Sequence, residues 1–332
     1  MGGVTVIKAI VLFTRKLCES EMLSFKTYEE LFKANGVELL RAYADTEEEI
    51  IEAAKDCEVV LDMLQPITAN IINRLEKCRA LVRSGIGVNN IDVEAATRRG
   101  IMVCNSPAHC VQEVAVLASA HIMNAVTKLS RYDNAVKQGR TEVFDSPRRL
   151  SELTVGFVGF GNIARHVAKI MLGCGCRVAA YDPFLPEEVF VRNSAKRCEL
   201  NELFGDADVI SLHVPLLPAT KHIINKDALA KMKDGVIIVN TARGPLVCEA
   251  DLIEAVKSGK VAAAGLDVFE SEPVTKSNPG LAALPQIACT PHVGYRGVEA
   301  IRELEETVAD MVVRIAGGKD PAHCVNIGNL KK

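Results

Sequence analysis

Apolar residues in this chain fall into two kinds of run that alternate along its length. Short continuous stretches rich in β-branched residues read as buried strands; stretches with aliphatic residues three and four apart read as amphipathic helices. A strand is expected at residues 9–13, a helix at 21–34 ended by Gly36, and a second strand at 37–43. Thr46-Glu47-Glu48-Glu49 is a capping box opening a helix to about residue 56. Strands follow at 59–64 and 80–82 with a helix over 70–78 between them. Asp92 caps a helix at 93–99, which Gly100 stops before a strand at 101–103. This βαβα rhythm predicts a parallel sheet. Residues 111–129 are long, apolar and poor in charge, and Gln112, Glu113, His121 and Asn124 interrupt them. They are expected to form an interdomain or subunit-interface helix rather than a membrane element. After a polar stretch at 137–149, the rhythm resumes with a strand at 154–158, a helix at 163–172 and a strand at 177–181. Further strands are expected near 209–214, 236–240, 262–268 and 287–289, then a last helix at 298–315.

A chain of 332 residues exceeds the size at which a single core stops growing, so two domains are expected. The net charge of −3, with no long Lys/Arg run, argues against binding nucleic acid by phosphate neutralisation. Eleven cysteines, odd in number and without C-x-x-C pairing, fit reduced thiols in a cytoplasmic protein, and no metal site is expected. The N-terminal apolar run is too short for a signal sequence, and no segment reaches the roughly 18 apolar residues of a spanning helix. Met1-Gly2 opens like a myristoylation signal, but Val6 stands where Ser or Thr is wanted. No membrane association is expected.

The strongest chemical signal is the turn Val158-Gly159-Phe160-Gly161-Asn162-Ile163-Ala164, set between the strand at 154–158 and a helix. That context is what a dinucleotide fingerprint requires. Gly159 permits the tight turn, Gly161 lets the backbone approach a pyrophosphate, and Ala164 allows helix-on-strand packing. The helix start, with Asn162 and Ile163, offers free N–H groups and the positive end of a dipole. Asp182 ends the next strand about 20 residues on, where a carboxylate accepts hydrogen bonds from a ribose 2′-OH. The cofactor read from this is NAD.

Three further motifs follow strands of the same sheet: Asn240-Thr241-Ala242-Arg243-Gly244, Asp267-Val268-Phe269-Glu270-Ser271-Glu272-Pro273 and Thr290-Pro291-His292. Ligands of open α/β sheets bind beyond the carboxyl ends of strands, so Arg243, Glu272 and His292 could converge over the nicotinamide. Hydride transfer from a 2-hydroxy acid needs a planar cation for the carboxylate, a base for the hydroxyl proton and an acid to orient that base. Arg supplies the fork, His titrates near neutrality, and Glu holds its second nitrogen. Singly, each has a bland reading as a surface charge, a loop acid or a structural histidine.

These motifs, with Arg83-Ser84-Gly85-Ile86-Gly87-Val88-Asn89-Asn90-Ile91-Asp92 upstream, resemble the D-isomer-specific 2-hydroxyacid dehydrogenases over nearly the whole chain. The Arg83 segment resembles both the phosphoglycerate dehydrogenase-like and the C-terminal-binding-protein-like branches. Val103-Cys104-Asn105-Ser106-Pro107, Tyr181-Asp182-Pro183-Phe184-Leu185, Glu270-Ser271-Glu272-Pro273, Cys289-Thr290-Pro291-His292 and Cys324-Val325-Asn326 favour the latter. The resemblance implies a Rossmann-type doubly wound parallel sheet, residues 104–295, inserted into a smaller flavodoxin-like α/β substrate domain, residues 1–103 plus 296–332. It implies a homodimer built on the nucleotide-binding domain, including the helix at 111–129. It further implies that Arg243 binds and polarises the substrate, His292 is the acid/base and Glu272 orients it. Ile86 and Gly87 would hold the carboxylate through backbone N–H groups. Arg83 would reach the substrate acid group or else form a salt bridge, and Tyr295 would pack near the substrate. Asp267 would meet the nicotinamide carboxamide; Val214, Pro215, Thr241, Ala242 and Gly294 would line the cofactor. His213 would be structural. Departures from the family pattern are Ala164 for the third Gly, Gly244-Pro245 after the Arg, Cys248 for an Asp, and Asn89 for an Asp. The function expected is hydride transfer between NADH and a small 2-oxo acid. The alternatives are an NAD-gated corepressor-like interaction protein and a D-3-phosphoglycerate dehydrogenase, which often appends a regulatory domain after the point where this sequence stops.

Overall fold

The computed structural model describes residues 7–14, 26–141, 146–274 and 280–330. Two compact units divide the chain: residues 1–109 with 297–332, and residues 110–296. The changeovers at 109/110 and 296/297 stand against 103/104 and 295/296 expected from sequence.

The first unit opens with β1 (Ile7–Phe13), α1 (Lys26–Ala34), β2 (Val37–Tyr43), α2 (Glu47–Ala54), β3 (Val59–Asp62), α3 (Ala69–Arg74), β4 (Ala80–Arg83), α4 (Val93–Arg98) and β5 (Met102–Cys104). Its five strands are parallel in the order β2-β1-β3-β4-β5, the flavodoxin-like order. Such strands are covered on both faces, which is why they read as continuous apolar runs. Ala9, Val11 and Phe13 of β1 pack with Tyr28 and Phe32, whereas the alternate Ile10 and Leu12 pack with Ile50, Ile71 and Ile72. The capping box at Thr46 is formed: its side chain accepts from Glu49 N, and the Glu49 carboxylate accepts from the Thr46 N–H. The part of the first expected helix at residues 21–25 lies outside the described residues, as does the Met1-Gly2 start.

The second unit runs α5 (Val111–Thr127), α6 (Leu129–Lys137), β6 (Thr154–Val158), α7 (Asn162–Gly173), β7 (Arg177–Tyr181), α8 (Glu187–Arg192), β8 (Lys196–Arg197), α9 (Leu200–Asp206), β9 (Val209–Leu212), α10 (Lys226–Lys231), β10 (Val236–Asn240), α11 (Glu249–Lys257), β11 (Val261–Leu266) and β12 (Ile287–Cys289). The strands form one parallel sheet, β12-β11-β10-β9-β6-β7-β8. Counted from β6, this is the doubly wound 3-2-1-4-5-6 order with one strand added. The order reverses between β6 and β9, whose carboxyl ends carry the turn at 159–161 and the segment His213-Val214-Pro215. The chain then returns to the first unit as α12 (Val298–Ala316), whose Leu304, Val308 and Val312 complete the core around Tyr28 and Phe32.

Helix α5 packs against β10, β11 and α7 of its own unit and buries Val114, Ala115, Ala118, His121, Ile122 and Ala125 there. Burial in that core accounts for its apolar composition. Lys128, in the left-handed region at φ 58°, ends it and starts α6, a helix that was not expected and that ends where the polar stretch at 137–149 begins. Residues 142–145 of that stretch lie outside the described residues. No helix among the described residues is long and apolar enough to cross a membrane.

Candidate active site

The turn after β6 is built by close approach. Gly159 stands at φ +87°, and a Cβ there would lie 2.8 Å from the His213 carbonyl oxygen and from Val214 Cγ1. Only glycine fits. Gly159 N donates to Tyr181 O, while Phe160 N donates to Asp182 Oδ2 at 3.0 Å. Phe184 N donates to Oδ1 of the same carboxylate, also at 3.0 Å. Asp182 is thus pinned at the end of β7 beside the glycine turn. Gly161 is the N-cap of α7; it brings no capping side chain, and a Cβ there would meet nothing within 4 Å. Asn162 and Ile163 therefore open a helix of 12 residues with no capping side chain on its first N–H groups, the setting an anionic pyrophosphate requires. Thr241 carries a buried hydroxyl with no protein partner among the described residues. Uncapped helix, open glycine and orphan hydroxyl together fit a dinucleotide.

His213 lies beside this turn. Its N donates to Val158 O, its Nε2 lies 2.8 Å from Ser211 Oγ, and burial pulls its imidazole down to about 3. It is a neutral packing residue. Pro215 follows, its carbonyl accepting from Thr220 Oγ1 at 2.6 Å.

The loop after β10 is fixed by Asn240, buried at the strand end: Oδ1 accepts from Ala242 N at 3.0 Å and Nδ2 donates to the Arg243 carbonyl at 2.9 Å. The Arg243 guanidinium donates from Nη1 to Ala242 O at 2.6 Å. Burial lowers its pKa and Glu272 opposes that shift, so the guanidinium remains a cation at neutral pH. Immediately after it, Gly244 lies against the loop after β11: a Cβ there would fall 1.9 Å from the carbonyl carbon and oxygen of Phe269.

That second loop carries Glu272. Its Oε1 accepts from Phe269 N at 2.9 Å, and its Oε2 lies 2.8 Å from His292 Nδ1. Burial raises the carboxyl pKa, but hydrogen bonding and charge from His292, the Phe269 amide and Arg243 outweigh it, and the net shift is downward. An ionised Glu272 accepts the proton on Nδ1, which leaves Nε2 as the exchanging nitrogen. No protein group bonds Nε2 among the described residues. The rings of His292 and Tyr295 meet edge to face with centroids 6.3 Å apart.

His292 itself sits in the left-handed region, φ 54°, in a turn that Asp267 holds from below. Asp267, expected to face a nicotinamide carboxamide, is 2% exposed, and its carboxylate accepts hydrogen bonds from its own loop. Its Oδ1 accepts from Thr290 Oγ1 at 2.5 Å and Val293 N at 3.0 Å, its Oδ2 from Gly294 N at 2.9 Å, and its carbonyl from His292 N at 2.8 Å. Thr290 Oγ1 lies 3.1 Å from Nε2 of His121, which α5 inserts beneath the loop. Sequence reading missed His121 and Asn240. His121 falls on the buried face of its helix with Val114, Ala118 and Ala125, a spacing that marks it as internal.

In the first unit, the segment after β4 is described by itself. Arg83 lies with Nε 3.9 Å from Asp62 Oδ2 and donates from Nη1 to the Ser84 carbonyl, the salt-bridge alternative for this residue. Asp62 is fully buried, and desolvation pushes its carboxyl up to about 6 although Arg83, Asn90 and the Gln65 amide favour the ion. The carbonyls of Gly85 and Ile86 accept from Ser106 N at 3.0 Å and Asn105 Nδ2 at 2.6 Å. Turning those carbonyls inward leaves the N–H groups of Ile86 and Gly87 without a protein acceptor among the described residues.

Residues 119–294, just over half of the chain, match the family model of the D-isomer specific 2-hydroxyacid dehydrogenase NAD binding domain. The chain belongs to this family of NAD-dependent oxidoreductases. It is 42% identical over 253 residues to a hydroxypyruvate reductase of Thermotoga maritima, covering 76% of this chain and 82% of that one. It is 38% identical over 291 residues to a D-3-phosphoglycerate dehydrogenase of Methanocaldococcus jannaschii, covering 86% of this chain but 55% of the relative, so it spans about half of that protein. Among solved structures, the D-lactate dehydrogenase of Aquifex aeolicus complexed with NAD and lactic acid superposes with a TM-score of 0.85 at 28% identity. That match covers 95% of this chain and 98% of the other.

Proposed function

We propose that this dehydrogenase reduces a small, unphosphorylated 2-oxo acid, with Arg243, Glu272 and His292 as its working side chains. The observation that carries the reading is the 2.8 Å contact between His292 Nδ1 and Glu272 Oε2, which leaves Nε2 without a protein partner among the described residues, while Arg243 spends Nη1 on the Ala242 carbonyl. When bound, the dinucleotide would supply the hydride that reduces the substrate carbonyl carbon. Gly159, Gly161, Asn162, Ile163 and Asp182 hold its phosphates and ribose; Val214, Pro215, Thr241, Ala242 and Gly294 line it, and Asp267 contributes through the turn it holds. Arg243 grips the carboxylate and polarises the carbonyl. His292 delivers the proton that neutralises the developing alkoxide, and Glu272 stabilises the imidazolium before that transfer. Ile86 and Gly87 give backbone hydrogen bonds to the carboxylate, Arg83 lends positive potential, and Tyr295 packs on the substrate side of His292.

The reading extends to a cytoplasmic homodimer formed through the second unit. The ten described cysteines are all unpaired, which suits a reducing compartment. Val116 on α5 and Leu129 and Val136 on α6 are 60–69% exposed, an apolar surface suited to a second copy. Sedimentation equilibrium checks the dimer.

The test of function is a panel of 2-oxo acids, including glyoxylate, pyruvate and hydroxypyruvate, followed by NADH oxidation. Arg243→Lys keeps the charge but loses the paired hydrogen bonds, and should lower kcat/KM on the best acid by at least about 10²-fold, roughly 3 kcal/mol, with NADH affinity unchanged. Near-normal kcat/KM in the variant would remove Arg243 as the substrate anchor. A panel with no turnover would remove the substrate class.

A further inference from the structure

Cys104 and Cys324 face each other across a short antiparallel ladder in the first unit. Cys104 ends β5; residues 323–326 return to that strand after α12. Val325 N donates to Val103 O at 2.8 Å and Asn105 N donates to His323 O at 3.4 Å. These bonds flank the two cysteines, which are therefore the non-hydrogen-bonded pair of the ladder. In such a pair the Cα atoms approach to about 4.5 Å, within the span a disulfide bridges. Asn326 fixes the register: its Oδ1 accepts from Val103 N at 2.9 Å, and its Nδ2 donates to Thr97 Oγ1 at 2.9 Å and to Ile101 O at 3.0 Å.

The two thiols differ in the way a nucleophile and its resolving partner differ. Cys104 is fully buried, while Cys324 is partly exposed. A hydrogen bond from Cys104 pulls the Cys324 thiol down against the effect of its own burial, and the same bond with desolvation pushes Cys104 up. While it holds its proton, Cys324 donates from Sγ to Asn326 Oδ1 at 3.2 Å, a bond the thiolate gives up. Other cysteines move the opposite way: burial raises Cys57 and Cys289 to about 11, and Cys78 and Cys110 to about 12.

We infer that Cys104 and Cys324 form a peroxide-oxidisable dithiol, with Cys324 as the attacking thiolate and Cys104 as the resolving thiol. The Cys324 sulfur attacks the terminal oxygen of a hydroperoxide; the O–O bond breaks, the alcohol or water leaves with a proton, and Cys324 becomes a sulfenic acid. The Cys104 sulfur then attacks the Cys324 sulfur. An S–S bond forms, the S–O bond breaks, and the hydroxide leaves as water with the Cys104 proton. Two electrons pass from the dithiol to the peroxide. The product ties the chain's returning segment to the end of β5, next to Asn105, whose side chain bonds the Ile86 carbonyl at 2.6 Å.

The full-length protein is treated with a few equivalents of hydrogen peroxide, alkylated, and mapped without reduction. The expected result is one cross-linked peptide pair joining residues 104 and 324, reversed by dithiothreitol, with the other cysteines still alkylated. Cys104→Ser should leave Cys324 as a sulfenic acid that dimedone captures. Cys324→Ser should leave Cys104 a free thiol under the same dose. Recovery of both as thiols while other cysteines oxidise would overturn the assignment. So would oxidation of wild-type Cys324 to the sulfinic acid without cross-linking, and because the wild-type map needs no variant, it decides the matter even if a substituted chain misfolds.

Discussion

Glu272 lies 2.8 Å from His292 Nδ1, and the hydrogen bond and charge from that ring help to hold its carboxyl below the ordinary carboxylate value. Glu272→Gln keeps the size and one hydrogen bond but removes the charge. On the proposed function, kcat/KM for reduction should then fall by on the order of 10²-fold with NADH affinity unchanged. A variant with wild-type kcat/KM would show that Glu272 does not serve His292. Asp62 bears on stability instead. Its folded carboxyl titrates at about 6 against an unfolded 3.8. Below the lower value both states hold the proton, and nothing is lost. As pH rises from about 4 to 6 the unfolded chain ionises first, so stability falls by on the order of 3 kcal/mol and stays reduced above that range. Asp62→Asn does not titrate. Urea unfolding at several pH values should show the variant gaining on the wild type across that window; a difference independent of pH would sink the assignment.

At the scale of elements, the junction of β6, α7 and β7 decides the choice of dinucleotide. The Asp182 carboxylate is immobilised by the amides of Phe160 and Phe184, so it cannot swing away from a 2′-phosphate. Repulsion and a lost hydrogen bond are worth roughly 1–3 kcal/mol, so kcat/KM should favour NADH over NADPH by about five- to 150-fold. Asp182→Ala should narrow the ratio, and equal values in the wild type would contradict this role. This junction was legible in the sequence because strand, glycine turn, helix and acid are consecutive. The strands 37–43, 154–158, 177–181, 236–240 and 287–289 were legible to the residue: the central runs at 154–158, 177–181 and 236–240 are largely buried on both faces, and the partly covered edge strands at 37–43 and 287–289 keep enough apolar residues to be read. Helices α8, α9, α10 and α11 were not; α8 and α9, of six and seven residues, lack a capping side chain of the kind by which Asp92 announces the equally short α4. The break at Lys128 is a single left-handed residue with no glycine to announce it. Asp267 shows the corresponding limit for the site: its bond to Thr290, and through Thr290 to His121, 146 positions before it, are long-range contacts that no local pattern announces.

For the molecule as a whole, the cofactor and its energy belong to one unit. The loops at 159–163, 213–215 and 241–243 all lie beyond carboxyl ends of the seven-stranded sheet, and each unit has its own two-faced core. Binding at 100 times Kd stabilises the liganded state by about 2.7 kcal/mol. Hydrogen exchange with saturating NADH should therefore slow first in those three loops and in the N-terminal turn of α7. Protection appearing first in residues 7–104 would assign the cofactor elsewhere. Gly244 sets the limit on redesign. Its Cα presses on the Phe269 carbonyl with no room for a methyl group. The loop bearing Arg243 and the loop bearing Glu272 thus behave as a single machined part with no clearance between its halves. A change of substrate by evolution or by engineering has to be cut into the surrounding walls, because neither loop can be moved while the other stays where it is.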